Sequence, residues 1–242
     1  MPLLVQVPRA EPLPVGLDVS RRTYNWAGAN YPSVTSVLGA AVAKPALIPW
    51  AAKVSAQATA DAMMCGALMD VAIHAGCKAP NAGRDAGGAR GTDVHRTLHH
   101  LALGLPLPTV GPAAQPYVEA LLVWWGDNEP EPILAEATVL NRTCGYAGTM
   151  DAIWAVHGRI ICVDAKTSAY RGPEEALQLA AYRHAEVVCL PDGSEEPMPD
   201  VDACAVLAIA PDGCELVDVD AGAEAWASFR AALILATWLW SQ

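Results

Sequence analysis

The chain of 242 residues is short of several things, and each shortage narrows what it can be. Its longest apolar run, Ala231 to Trp240, has ten residues between Arg230 and Ser241, well under the roughly 20 that a membrane-spanning helix needs. The first twenty residues, MPLLVQVPRAEPLPVGLDVS, have no basic start leading into an unbroken apolar core, and their prolines argue against a signal peptide. The expectation is a chain that stays in a cytoplasm. There is no Cys-x-x-Cys: the seven cysteines, at 65, 77, 144, 162, 189, 204 and 214, fit reduced thiols better than a disulfide framework or a zinc site. There is no internal repeat, and no surplus of basic residues.

The formal charge of −11 seems to oppose a nucleic-acid partner, because phosphate binding calls for basic surface. Its distribution alters that conclusion. Between His184 and Phe229 lie eleven acidic residues and no Lys or Arg, so this segment alone carries −11; the remaining fifteen acidic and fifteen basic residues cancel. The acidic segment is a candidate contact for a basic partner protein or a second copy.

What the chain does have is apolar content: 53% hydrophobic residues suffice for a sizeable core. Residues 1–32, rich in proline and turn formers, read as an irregular lead-in, followed by one domain over 33–242. Its helical part covers 33–130. Capping-type Ser and Thr open a helix in Tyr31 to Leu38, and a second runs from Pro45 to Met64. Cys77 to Gly91 reads as a Gly/Ala/Asn loop, Thr92 to Leu103 as a third helix capped by Thr92 or Asp93, and Tyr117 to Gly126 as a fourth. The sheet core covers 131–242, with strands over 133–140, 147–156, 159–167, 203–210 and 215–219 and helices over 174–189 and 221–240. The expected fold is α/β: a central mixed sheet of about five strands flanked by helices.

Within this core stands MDAIWAVHGRIICVDAKTS, residues 150–168, an apolar run broken by two aspartates and a lysine. Charge inside apolar elements is costly unless it is paired, binds metal or does chemistry. His157-Gly158 suits a two-residue hairpin turn, which pairs Val156 with Arg159 and sets Asp151 opposite Asp164. Lys166, two residues along, shares the face of Asp164. Two carboxylates held about 5 Å apart repel unless one is protonated or a cation lies between them. A divalent ion with oxygen ligands meets that need. A lone Asp-x-Lys arises by chance about once in a chain this long, so it carries weight only through the register with Asp151 and the residues that follow.

Those residues, Gly148-Thr-Met-Asp151, Asp164-Ala-Lys166 and Gln178-Leu-Ala-Ala-Tyr182, preceded by Gly91-Thr-Asp-Val-His95, resemble in type and order the motifs of the PD-(D/E)XK nuclease superfamily, in its RecB-like branch. YPSVTSVL and KPALIPWAAK are similar to phage-type exonucleases of that branch. The resemblance spans about 91–182 and implies a restriction-endonuclease-like core and DNA hydrolysis. It implies one or two Mg²⁺ or Mn²⁺ ions on His95, Asp151, Asp164 and the Ala165 carbonyl, with Glu136 as a further candidate. Lys166 would orient the attacking water; Gln178 and Tyr182 would line the site and contact DNA or the lysine. Arg90, Arg96, Arg171 and Arg183 are candidates for phosphate contacts. Met150 stands where the superfamily has proline. Cys189, Cys204 and Cys214 are too widely spaced for the four-cysteine iron–sulfur cluster of many relatives, so no cluster is expected. The reading is an exonuclease on linear DNA or free ends; the alternatives are an endonuclease of the same fold and a DNA-end-binding module without turnover. A homo-oligomer or a recombination or replication partner is compatible with either.

Overall fold

The computed structural model describes residues 23–168 and 172–242. Two short strands, β1 (Thr23–Trp26) and β2 (Ala29–Pro32), form a hairpin where irregular chain was expected, turning through positive φ at Ala27 and Gly28. The helices α1 (Val34–Ala41), α2 (Leu47–Met64), α3 (Met69–Ala102) and α4 (Gln115–Asn128) follow. Then come β3 (Glu131–Asn141), β4 (Tyr146–Val156), β5 (Arg159–Lys166), α5 (Glu174–Arg183), β6 (Val187–Cys189), β7 (Glu195–Pro197), β8 (Ala203–Ala210), β9 (Gly213–Val219) and α6 (Ala223–Trp240). As the sequence predicts, a serine caps α1: the Ser36 N–H donates to the Ser33 hydroxyl at 3.0 Å.

The sheet has seven strands rather than five, in the order β7-β6-β3-β4-β5-β8-β9. It is mixed: β5 and β8 are parallel and the other neighbours antiparallel. The two extra strands have three residues each, too short to show a period. β6 lies where a helix was expected to continue to 189; α5 instead stops at Arg183, and the Glu186 N–H donates to the Leu140 carbonyl, handing the β-branched Val187 and Val188 to the edge of β3.

Helices cover both faces. On one, α1, α5 and α6 contribute Val34, Leu179 and Phe229 to a core with Met150, Ile153 and Cys162. On the other, α3 and α4 contribute Val94, Leu98 and Leu121 to a core with Ala152, Trp154 and Val163. Among the described residues no helix is long and apolar enough to cross a membrane.

The largest departure from expectation is α3. Residues 77–91 are not a loop: one helix of 34 residues runs through them despite Gly76, Gly83, Gly87, Gly88, Gly91 and Pro80. Five interior glycines cost about 5 kcal/mol relative to alanine, so packing must offset poor propensity. It does so by closeness. A Cβ on Gly76 would sit 2.0 Å from the Thr59 hydroxyl oxygen and 2.8 Å from the Ser55 carbonyl oxygen, so only glycine lets α3 lie this near α2. Thr92 and Asp93 therefore lie inside the helix; the Asp93 carboxylate takes the Gly111 N–H and pairs with Arg96, tying down the loop after α3.

Candidate functional site

The hairpin register is the one the sequence predicts. Pairs run from Val156↔Arg159 to Ala152↔Val163, and the next positions out are Asp151 and Asp164. His157 and Gly158 form the turn with φ of 50° and 77°.

On its other side β4 pairs with β3, and Ala135↔Ala152 and Ala137↔Met150 flank an unpaired Glu136 and Asp151. Glu136 has φ 45°. Leu134 and Ala137 reach the same core although three residues apart, and so do Met150 and Ile153. Both strands therefore slip their pleat by one residue at the same level, and the two acidic side chains sit at the slip.

This slip corrects one expectation. Asp151 does not share a face with Asp164: its Oδ2 accepts the Ala165 N–H at 2.7 Å, and a strand N–H lies in the plane of the sheet. The Asp151 carboxylate thus lies between the helical layers, replacing a backbone carbonyl in the ladder. Its Oδ1 is 3.3 Å from His95 Nδ1, which α3 brings from one layer. Asp164 is met from the other layer, its Oδ1 accepting from Gln178 Nε2 of α5 at 2.7 Å, while Lys166 Nζ stands 2.6 Å from its Oδ2. Every oxygen of the two carboxylates is engaged.

The electrostatics follow from this crowding. Burial and the repulsion of Asp151 lift the Asp164 carboxyl to about 6, against the pull of Lys166 and His95. Burial works in the same direction on Asp151, but His95 and the Ala165 N–H outweigh it and hold that carboxyl below its ordinary value. Burial disfavours charge on His95 too, yet Asp151 prevails and raises the imidazole to about 9. Lys166 is raised by Asp164 in spite of its burial. At neutral pH the cluster carries two carboxylates, an ammonium and an imidazolium.

Gln178 and Tyr182, one turn apart on α5, are both at the site but in roles that differ from expectation. Gln178 contacts Asp164, not Lys166, and also donates to the Tyr182 hydroxyl at 3.2 Å. Tyr182 is 2% exposed, so its ring cannot reach DNA and instead supports Gln178 from below. Gly148 makes room for it: a Cβ there would lie 2.7 Å from the Tyr182 ring and 3.2 Å from Val34.

Of the other predicted residues, Glu136 stands beside His99, 3.8 Å from its Nδ1. His99, buried one helical turn beyond His95, is not among the candidates named from the sequence; the i, i+4 spacing is the signal that both face the sheet. His95, His99, Glu136, Asp151 and Trp154 line a cavity of about 10 Å³, room for one water. The Trp154 indole N–H is buried there and meets no acceptor among the described residues.

Of the candidate arginines, Arg90, Arg96 and Arg183 are engaged away from the carboxylates. Arg96 is bound to Asp93 and to the Thr109 carbonyl, Arg90 lies over the Tyr117 ring at 4.7 Å, and Arg183 donates to the Val201 carbonyl beside Asp202 and Asp218. Arg171 lies outside the described residues.

By chemistry, two carboxylates and an imidazole fit a hard divalent cation. Their present pairing is that of a closed ion cluster: among the described residues no group of three His, Cys, Asp or Glu side chains is arranged to hold a metal. Loading would require the His95 proton to leave. A scan against protein-family models finds no match to the chain, and neither does a search of curated proteins.

Proposed function

We propose that the protein is a metal-dependent deoxyribonuclease that hydrolyses phosphodiester bonds, an exonuclease acting on linear DNA or free ends in recombination, repair or phage DNA processing. The observation that carries this reading is the convergence of Asp151, Asp164 and Lys166, with His95 and Gln178, where β4 and β5 cease to pair. Residues separated by 83 positions in the chain, from His95 to Gln178, meet there around two charged carboxylates that the core had to bury. Carboxylates shifted by burial and by specific charge partners cluster at functional sites.

Asp151, Asp164, His95 and the Ala165 carbonyl would hold one or two Mg²⁺ or Mn²⁺ ions, which supply an acidified water and neutralise charge on the phosphate. Lys166 contributes a fixed positive charge beside the reacting phosphate; its side chain is partly exposed and so can be reached. Gln178 fixes the Asp164 carboxylate through one oxygen, Tyr182 fixes Gln178, and the Ala165 N–H fixes Asp151. The segment from His184 to Phe229, with its eleven acidic residues, supplies both edges of the sheet, β7-β6 and β8-β9, and most of the first half of α6, so the β4–β5 site lies in the middle strands between them.

A second reading, a DNA-end-binding module without turnover, is favoured by the complete internal pairing of the carboxylate oxygens. One experiment separates the two. Purified protein with Mg²⁺ or Mn²⁺ is expected to degrade linear duplex DNA, and Asp164→Ala or an excess of chelator to abolish degradation. Equal activity of the variant overturns the assignment, and retention of DNA without cleavage in any metal selects the binding module.

A further inference from the structure

The cavity at the β3–β4 slip holds polar groups that the paired carboxylates do not use. It measures about 10 Å³, with Leu98 and Ala102 as aliphatic walls and with Trp154, Glu136, Asp151 and His99 as polar ones. Trp154 is fully buried, and its indole N–H, which can only donate, meets no acceptor among the described residues. A buried donor without a partner is rare in a folded protein. Glu136 adds a second departure. Its φ of 45° is left-handed, a backbone state that a non-glycine residue keeps only where its surroundings enforce it, and it falls between the paired Ala135 and Ala137. His99 Nδ1 stands 3.8 Å from the Glu136 carboxylate, longer than a hydrogen bond, a separation at which a shared water is the usual link.

Donor and acceptor types say what fits there. An indole N–H presents a hydrogen and a carboxylate presents lone pairs, so one water complements both: it accepts from Trp154 and has two hydrogens left to donate. A cation at the same spot would face the positive end of the N–H dipole, which argues against an ion. Size agrees, because a cavity of about 10–15 Å³ is what one water needs, together with two to four polar partners. There is also a way in. The Glu136 side chain is 35% exposed, so the cavity opens toward solvent beside it. A water in this place joins β4 at Trp154 and Asp151 to β3 at Glu136, across the level at which the ladder between the two strands is interrupted.

We propose that this cavity binds one ordered water, which accepts from the Trp154 indole and donates to the Glu136 and Asp151 carboxylates, and that Trp154 and Glu136 are thereby positioning residues for Asp151. Glu136 then anchors the slip rather than ligating a metal, and the water site stands whether or not the protein cleaves DNA. Crystals of the full chain grown with Mn²⁺ are expected to show a solvent peak within hydrogen-bond distance of Trp154 Nε1, without anomalous signal at that position. In solution, the chain has eight tryptophans, and the indole N–H resonance that disappears in Trp154→Phe belongs to Trp154. That resonance should show cross-relaxation with a bound water. Glu136→Leu should lose the cross-peak and shift the Ala165 amide signal, whose N–H donates to Asp151, while Glu136→Gln, which keeps an acceptor oxygen, should retain both. A role in packing alone would not separate the two variants. An anomalous peak in the cavity overturns the proposal, as does the lack of a water contact to Trp154 in crystal and solution alike, or an Ala165 signal that Glu136→Leu leaves in place.

Discussion

The end of β5 and the α2–α3 hairpin are opposites in how they spend their residues. At β5 the chain buries charge and then partners it: each carboxylate oxygen of Asp151 and Asp164 has a donor or cation. In the hairpin it has apolar side chains to bury and leaves them out, placing glycine and alanine in the seam. Folding alone favours neither arrangement. Buried ion clusters rarely stabilise relative to apolar packing, and exposed leucine and methionine forgo the burial that drives collapse. Each region departs from the stability optimum, a departure that the proposed site accounts for at β5.

The sharpest way to break the comparison is with two glycines. Gly148→Ala forces a methyl group against the Tyr182 ring and Val34, both in the core, and is expected to destabilise the whole fold by about 2 kcal/mol, measured as a lower urea midpoint at unchanged slope. Because the displaced ring supports Gln178, cleavage of DNA should fall further than stability does. A neutral Gly148→Ala would mean that the Tyr182 ring is not held as described.

A smaller effect concerns pH. The His95 imidazole has a folded value of about 9, above its ordinary 6.5, so its contribution to stability is fully present below 6.5 and is lost as pH rises through 9. In metal-free buffer with chelator, the melting temperature of the wild type should therefore decline between pH 6.5 and 9, by a few degrees for a domain of this size. His95→Gln, which has no proton to lose, should flatten that slope. Parallel profiles would show that Asp151 does not hold the histidine charged.

The smallest global effect is expected from Gly76→Ala, though its Cβ overlap is the most severe of all. α2 contacts little besides α3, so separating the two should leave the melting temperature of the sheet core within about 1 °C. Amide exchange in 47–88 should accelerate while that of β4 and β5 does not. Equal acceleration in both would show that hairpin and core unfold as one unit.

These regions also differ in how legible they were. The β4–β5 register followed from two residues, His157 and Gly158, because a two-residue turn fixes pairing. The order of β8, β9 and α6 followed from the alternation in 203–210 and 215–219 and the long apolar run of the last helix. The pleat slip at Glu136 and Asp151 had no local signature: it comes from two strands yielding together, and it moves Asp151 out of the face that strict alternation assigns. Nor did 77–91 read as helix, because the close packing that favours it is set by Gly76 against Ser55 and Thr59 of α2, a contact between elements that local sequence does not show. Tyr182 looked like a contact residue because spacing reports the face of a helix but not its depth. His99 went unnamed for the same reason and is buried.

The central claim is that Asp151, Asp164 and Lys166 form a hydrolytic site, and it is tested most directly by a time course with Mn²⁺ on end-labelled linear DNA beside covalently closed circles. The account predicts release of label from linear DNA, intact circles, and no release by Lys166→Ala. Circles cut as fast as linear DNA would contradict the exonuclease reading, and label released equally by wild type and Lys166→Ala would contradict the site itself.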